Sequence, residues 1–239
     1  NAPYIADGAR SGFRYGNVEL ADAIVKDGLW CAFDACLMGL GTDRYTGDSI
    51  SRAEMDEVSA ASHERAAIAT KDGVLAEEIV PVSIPQRKGD PMLVEHDEGV
   101  RPGTTAASLG ALRPAFDPNG TITAGNASQL SDGGSAVVVM SKAAADACGV
   151  APLGEIVSYG MVAGPDNASL NLQPANAIRR ALAKTDLSVA DLAVFELNEA
   201  FAAVGIASAR ELGILLDIVD VNGGAIALGH PLGMSGTSP

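Results

Sequence analysis

Basic residues are scarce in this chain of 239 residues: 16 Lys and Arg stand against 30 Asp and Glu, a formal charge of −14 at pH 7. Nucleic acid and anionic membrane surfaces both reward basic patches, so this balance argues against either as a partner. It leaves room for a small anionic ligand, which needs only a local cluster of positive groups. Cysteine is scarce too. Cys31, Cys36 and Cys148 are an odd number without regular spacing. That excludes a disulfide framework and finger-type metal spacing, and it fits a reducing, cytoplasmic setting. The apolar runs are far shorter than the ~20 residues of a membrane helix. Aromatic residues make up only 4%, yet the hydrophobic fraction of 47% is normal for a packed globular chain. No internal repeat or low-complexity tract is present, and the length allows one large domain or two small ones.

What the chain does have changes texture along its length. Over residues 1–48, seven glycines break any sustained period, which predicts loops with one short helix near 20–25. Ser51-Arg-Ala-Glu54 is a capping pattern opening a helix to about Lys71, with Gly73 past its end. Residues 78–84 read as a strand, marked as an edge by Pro81 and Pro85. Residues 104–112 read as a short helix. From Ala136 a regular alternation follows: strand 136–140, helix 142–148, strand 154–161, helix 174–183, strand 192–197, helix 199–212, strand 218–221. This alternation predicts a layered α/β architecture.

Two segments of the last part carry chemistry. Asn198, in Asn-Glu-Ala-Phe, stands at a strand-to-helix corner, where open α/β sheets place their ligands. Residues 221–236 read Val-Asn-Gly-Gly-Ala-Ile-Ala-Leu-Gly-His-Pro-Leu-Gly-Met-Ser-Gly, with His230 the sole ionisable side chain after Asp220. A neutral imidazole in an apolar, glycine-rich loop can serve as a general base near neutral pH. An exposed histidine in a flexible loop is the other reading of that motif. Glu199 is adequately explained as a first-turn residue favoured by the helix dipole. His63 and His96 read as solvated, and Cys31, Cys36 and His63 lack metal-ligand spacing, so no metal is expected.

Together, Asn-Glu-Ala-Phe and Gly-Gly-Ala-Ile-Ala-Leu-Gly-His-Pro resemble the thiolase family, enzymes that make or cleave 3-oxoacyl-CoA thioesters. Asn1-Ala-Pro-Tyr4, Asp27-Gly-Leu29, Pro85-Gln-Arg-Lys-Gly-Asp90, Leu112-Arg-Pro-Ala-Phe116 and Thr121-Ile-Thr-Ala-Gly-Asn-Ala-Ser128 follow in thiolase order. The resemblance implies a partial, thiolase-like layered αβαβα fold with an inserted loop domain. Residues 1–121 would form that loop domain over CoA, 122–150 would end the N-terminal half, and 151–239 would begin the C-terminal half. It also implies a homo-oligomer, tetramer or dimer.

Chemically, the resemblance implies catalytic His230 and Asn198, the first taking a thiol proton and, with a water held by the second, forming an oxyanion hole. It implies Arg87 near the CoA nucleotide, and Leu29, Met38, Phe116, Ala124, Ser128, Leu130 and Leu170 along the CoA channel. Ala200 and Phe201 would border the acyl end. Coenzyme A thioesters are then substrates, and no cofactor is expected. Thiolases use two cysteines, one upstream of Asn-Ala-Pro-Tyr and one in a C-terminal glycine-rich loop. The three cysteines here match neither context, so this stretch alone is expected to be inactive. Leu37 before Met38-Gly39, Gly41-Thr-Asp-Arg-Tyr45 and Asp220 depart from the common pattern. Condensation of two acetyl-CoA is the first activity implied. Longer-chain 3-oxoacyl-CoA cleavage and non-catalytic CoA or lipid binding are the alternatives.

Overall fold

The computed structural model describes residues 2–47, 49–164 and 169–237. Asn1, the first residue of the Asn-Ala-Pro-Tyr segment, lies outside them. The chain opens with β1 (Tyr4–Ile5), paired antiparallel with β2 (Ala21–Asp22). The helix expected over 20–25 is therefore displaced. Ala21 and Asp22 are held as strand by residues from the start of the chain, and a single wide helical turn follows over Ile24–Leu29. A tight hairpin joins β3 (Trp30–Cys31) to β4 (Cys36–Leu37) and leads straight into α1 (Met38–Thr46).

The long helix α2 (Arg52–Lys71) starts and stops where its capping residues dictate. Ser51 Oγ accepts the Glu54 N–H at 3.2 Å, and Gly73 takes a positive φ just past the end. Its buried face is unusually polar: Met55, Asp56, Ser59, Ser62, His63, Ala66 and Ala69. Buried polar groups need partners, and these have them. Asp56 pairs with Arg52 at 2.7 Å and accepts from Asn126 Nδ2 at 3.2 Å. His63 is buried, not solvated as expected. Its Nδ1 accepts the Arg101 N–H at 3.3 Å, and burial lowers its pKa.

Next comes a small exposed hairpin of β5 (Val82–Ile84) and β6 (Met92–Val94), shorter than the expected strand because the Glu78 and Ile79 N–H groups bond back to Leu75 O in the preceding helical turn. The remaining helices are α3 (Ala106–Gly110), α4 (Lys142–Cys148), α5 (Gln173–Leu182), α6 (Ala202–Leu212) and α7 (Ala225–Leu228). Ser141 and Gly149 cap α4, and Gly213 ends α6 in the left-handed region.

The principal core joins distant parts of the chain. Met55 of α2, Ile122, Ala202, Ala203 and Ile206 of α6, and Ile226 of α7 pack in one cluster. A second cluster, Ala175, Phe195, Leu197, Leu212 and Val219, lies beneath two parallel stretches. There the Phe195 N–H meets Ile218 O at 2.8 Å and the Asp220 N–H meets Phe195 O at 2.9 Å. The expected strands 136–140 and 154–161 form no ladder among the described residues; Val138 and Ile156 are 85% and 72% exposed. Regular strand geometry requires a neighbour at hydrogen-bonding distance, and none of the described residues supplies one.

Candidate active site

Two segments meet at the end of the 192–197 stretch. Asn198 Nδ2 lies 3.3 Å from His230 Nε2, and His230 Nδ1 lies 2.7 Å from Ser235 Oγ. Ser235 Oγ also donates to Pro231 O at 3.1 Å. Its one hydrogen is thereby used, so it accepts from His230, which places the ring proton on Nδ1. Nε2 is left with its lone pair, accepting from the Asn198 amide. Burial holds the imidazole below its ordinary pKa, so it stays neutral and basic. A neutral ring with a free lone pair, oriented by a hydroxyl on one side and an amide on the other, has the chemistry to serve as a general base. Ser235 was not singled out from sequence; a hydroxyl five residues past His230 inside the same loop is the signal that would have found it.

The corner is built by buried contacts. Residues 198–201 do not begin the helix. Ser128 N–H bonds Ala200 O at 3.0 Å and Ala202 N–H bonds Asn126 O at 2.9 Å, so this stretch lies along 126–128 and α6 starts only at Ala202. Glu199 is therefore not a first-turn residue, which corrects the sequence-based expectation. It is buried, and its Oε2 accepts from Ser62 Oγ at 2.7 Å and from the Ile226 N–H at 3.0 Å. Desolvation raises its pKa. Gln129 holds the other end of α7, its Nε2 within 3.1 Å of both Ile226 O and Ala227 O.

Gly223 and Gly224 let the histidine loop approach so closely. Gly223 has φ +94°, and a Cβ there would lie 2.7 Å from the Ala66 backbone nitrogen; a Cβ at Gly224 would overlap the Glu199 carboxyl. Asp220 sits just before them at φ 48°, a region Asn and Asp tolerate better than other side chains. Its Oδ1 accepts the Leu197 N–H at 2.8 Å, and burial, then Glu199, push its pKa up to about 8. Asp220 is hydrogen-bonded to Glu196, so the proton that burial favours is held by this pair of carboxyls.

In front of His230 opens a mainly apolar cavity of about 570 Å³. Leu29, Met38, Phe116, Ser128, Leu130, Ala200, Phe201 and His230 all line it. Phe116 and Phe201 meet edge to face, with ring centroids 6.3 Å apart. Asn198 is not part of the cavity's walls; it contacts His230 from the side of a separate cleft lined by Glu196, Asp220, Gly224 and Ser235. The other expected binding residues are not brought to the cavity's walls: Ala124 is on an exposed turn, Leu170 opens a short helical turn, and Arg87 is exposed between β5 and β6.

This geometry can be set beside known proteins. The family profile described as "Thiolase, N-terminal domain" matches residues 1–143, and "Thiolase, C-terminal domain" matches 150–238. The chain belongs to the thiolase family. It is 55% identical over 237 residues to a probable acetyl-CoA acetyltransferase of Mycobacterium tuberculosis, covering 99% of this chain and 60% of that protein. An acetyl-CoA acetyltransferase of Pseudomonas aeruginosa is 47% identical over 236 residues, covering 98% and 60%. The crystal structure of the Bacillus anthracis acetyl-CoA acetyltransferase superposes with a TM-score of 0.91 at 39% identity, over 98% of this chain and 59% of that one. The fold is thus a thiolase-like α/β fold, and the chain spans about 60% of the length of these thiolase relatives.

Proposed function

We propose that this chain is the central part of an acetyl-CoA C-acetyltransferase. Two acetyl-CoA condense reversibly to acetoacetyl-CoA and CoA through an acyl-cysteine outside these 239 residues. The observation that carries the reading is the neutral His230 Nε2, paired with Asn198 and set in the wall of an apolar cavity. The names of the acetyltransferase relatives favour the same chemistry.

A thiol becomes a strong nucleophile on losing its proton. Nε2 has the lone pair to take it. Once protonated, Nε2 becomes a donor, and it can no longer accept from the Asn198 amide 3.3 Å away. Two donors side by side then converge on one acceptor. Negative charge developing on a thioester oxygen during acyl transfer or enolate formation is such an acceptor, so one pair of residues serves as base and then as oxyanion hole. The apolar wall takes the pantetheine and acyl parts of acetyl-CoA and CoA. Arg87 is assigned to the CoA phosphates, and Ala124 and Leu170 to outer parts of the channel. No metal or further cofactor enters the reaction.

Within this reading, residues 1–121 are the loop domain covering CoA, 122–150 close the N-terminal half, and 151–239 open the C-terminal half. The enzyme is a cytoplasmic homo-oligomer, tetramer or dimer, acting in fatty-acid and lipid metabolism. Longer-chain degradative thiolysis would use the same residues with a wider acyl pocket. Steady-state thiolysis by the whole polypeptide separates the two. A kcat/KM for acetoacetyl-CoA about tenfold or more above that for a 3-oxo-octanoyl thioester is expected. The opposite order assigns the longer-chain reaction, and no turnover of either removes the enzymatic reading.

A further inference from the structure

We propose that Glu199 and Ser62 form a positioning device that sets His230 against Asn198, and that helix α2 thereby controls the base; the catalytic part of this claim rests on the function proposed above. Three elements meet at one carboxyl group. Ser62, on the buried face of α2, donates to Glu199 Oε2 at 2.7 Å and accepts the Gly224 N–H at 3.1 Å. The same Oε2 accepts the Ile226 N–H at 3.0 Å, in the first turn of α7. Glu199 is the chain neighbour of Asn198, and His230 follows two residues after α7. A closed ring of three hydrogen bonds therefore fixes the origin of both chemical groups to one buried point.

The device is over-determined around that point, as positioning requires. Glu199 is 4% exposed and Ser62 is 3% exposed, so neither meets solvent. The absent side chain at Gly224 leaves the space the carboxyl fills, and the absent side chain at Gly223 lets the loop touch Ala66, one turn along α2 from Ser62. Gln129 secures the far end of α7 through its carbonyls. Nothing in this ring touches the cavity in front of His230, whose walls contain neither Glu199 nor Ser62. The two residues act through the base and not on substrate.

Glu199→Ala, Glu199→Gln and Ser62→Ala in the whole polypeptide test the inference, with thiolysis kinetics and the NMR titration of the His230 ring as readouts. Glu199→Gln keeps an acceptor oxygen at the same place, so its kcat stays within about threefold and its His230 resonance stays in place. Misplacing a catalytic group by an ångström or less costs about tenfold to a hundredfold. Glu199→Ala is expected to lose kcat by that factor while the KM for CoA moves less than about twofold. Its His230 resonance shifts and titrates nearer the ordinary imidazole range, and Ser62→Ala shows the same changes in smaller degree. An unaltered His230 resonance in folded Glu199→Ala overturns the inference, as does a rise in KM alone. If the unsubstituted protein turns over no thioester, the proposed function fails, and the NMR titration still decides the positioning claim. If Glu199→Ala does not fold, Ser62→Ala decides, by the same two readouts.

Discussion

His230 Nε2 faces Asn198 Nδ2 at 3.3 Å although 32 positions separate them in the chain. The pairing assigns the ring proton. An amide N–H can only donate, so Nε2 must be the bare nitrogen, and Ser235 accepts from the other side. The lone pair of Nε2 is thereby fixed in place by the fold itself.

Removing the acceptor for Nδ1–H should weaken the base without touching substrate. Ser235→Ala deletes the hydrogen bond to Pro231 O as well as the one to His230, and the latter, worth about 0.5–1.5 kcal/mol, is the one that bears on the ring. Tenfold in rate corresponds to about 1.4 kcal/mol, so a loss of roughly twofold to tenfold in kcat is expected. Steady-state thiolysis of acetoacetyl-CoA measures it. An unchanged kcat would leave Ser235 as a mere loop contact.

Burial lowers the pKa of His230, and this has a readable pH consequence. The neutral base persists to more acidic pH than a free imidazole would, so the acid limb of kcat/KM should fall below pH ~6.5. A pH profile with that limb absent from the His230→Ala residual activity would assign it. A limb above the ordinary imidazole value contradicts the burial argument.

Gly224 is required by space and not by conformation. Its φ of −117° is open to any residue, but a Cβ would overlap the buried Glu199 carboxyl. Gly224→Ala is therefore expected to destabilise the protein by about 1–3 kcal/mol, the usual range for overpacking. Urea unfolding of the two proteins checks this, and equal midpoints would show that the carboxyl moves aside freely.

Asp220 makes stability depend on pH with a defined sign. Its folded pKa, pushed up to about 8, lies above the ordinary carboxyl value, so the folded protein keeps a proton that the unfolded chain releases. Stability from this group is fully present below the ordinary carboxyl range and is lost as pH rises toward 8. Asp220→Asn keeps the shape and removes this group's own titration, leaving that of Glu196 and Glu199. Melting curves should show the variant gaining on the parent at pH 8 and matching it near pH 4. A constant difference across that range would mean Asp220 does not hold its proton.

Much of this arrangement could be read from residue chemistry alone. Ser51 begins a helix and Gly73 follows its end through local capping, which involves only residues a few positions apart. The cavity wall was legible through the family motifs, which brought Leu29, Met38, Phe116, Ser128, Leu130, Ala200, Phe201 and His230 to one place. What escaped was long-range burial. Glu199 read as a helix-start residue because its partners, Ser62 and Ile226, are 137 and 27 positions away. His63 read as solvated because the Arg101 N–H that satisfies it comes from a separate loop. The apolar stretches 136–140 and 154–161 have strand composition, yet pairing is a property of neighbours and not of composition.

The measurement that tests the central claim most directly is acetoacetyl-CoA thiolysis by the whole polypeptide, with and without His230→Ala. General acid–base catalysis contributes about 10²–10⁴-fold, so kcat/KM should fall by that factor while CoA affinity by calorimetry stays within about twofold. Equal activity in His230→Ala would contradict the account and remove this residue from the chemistry.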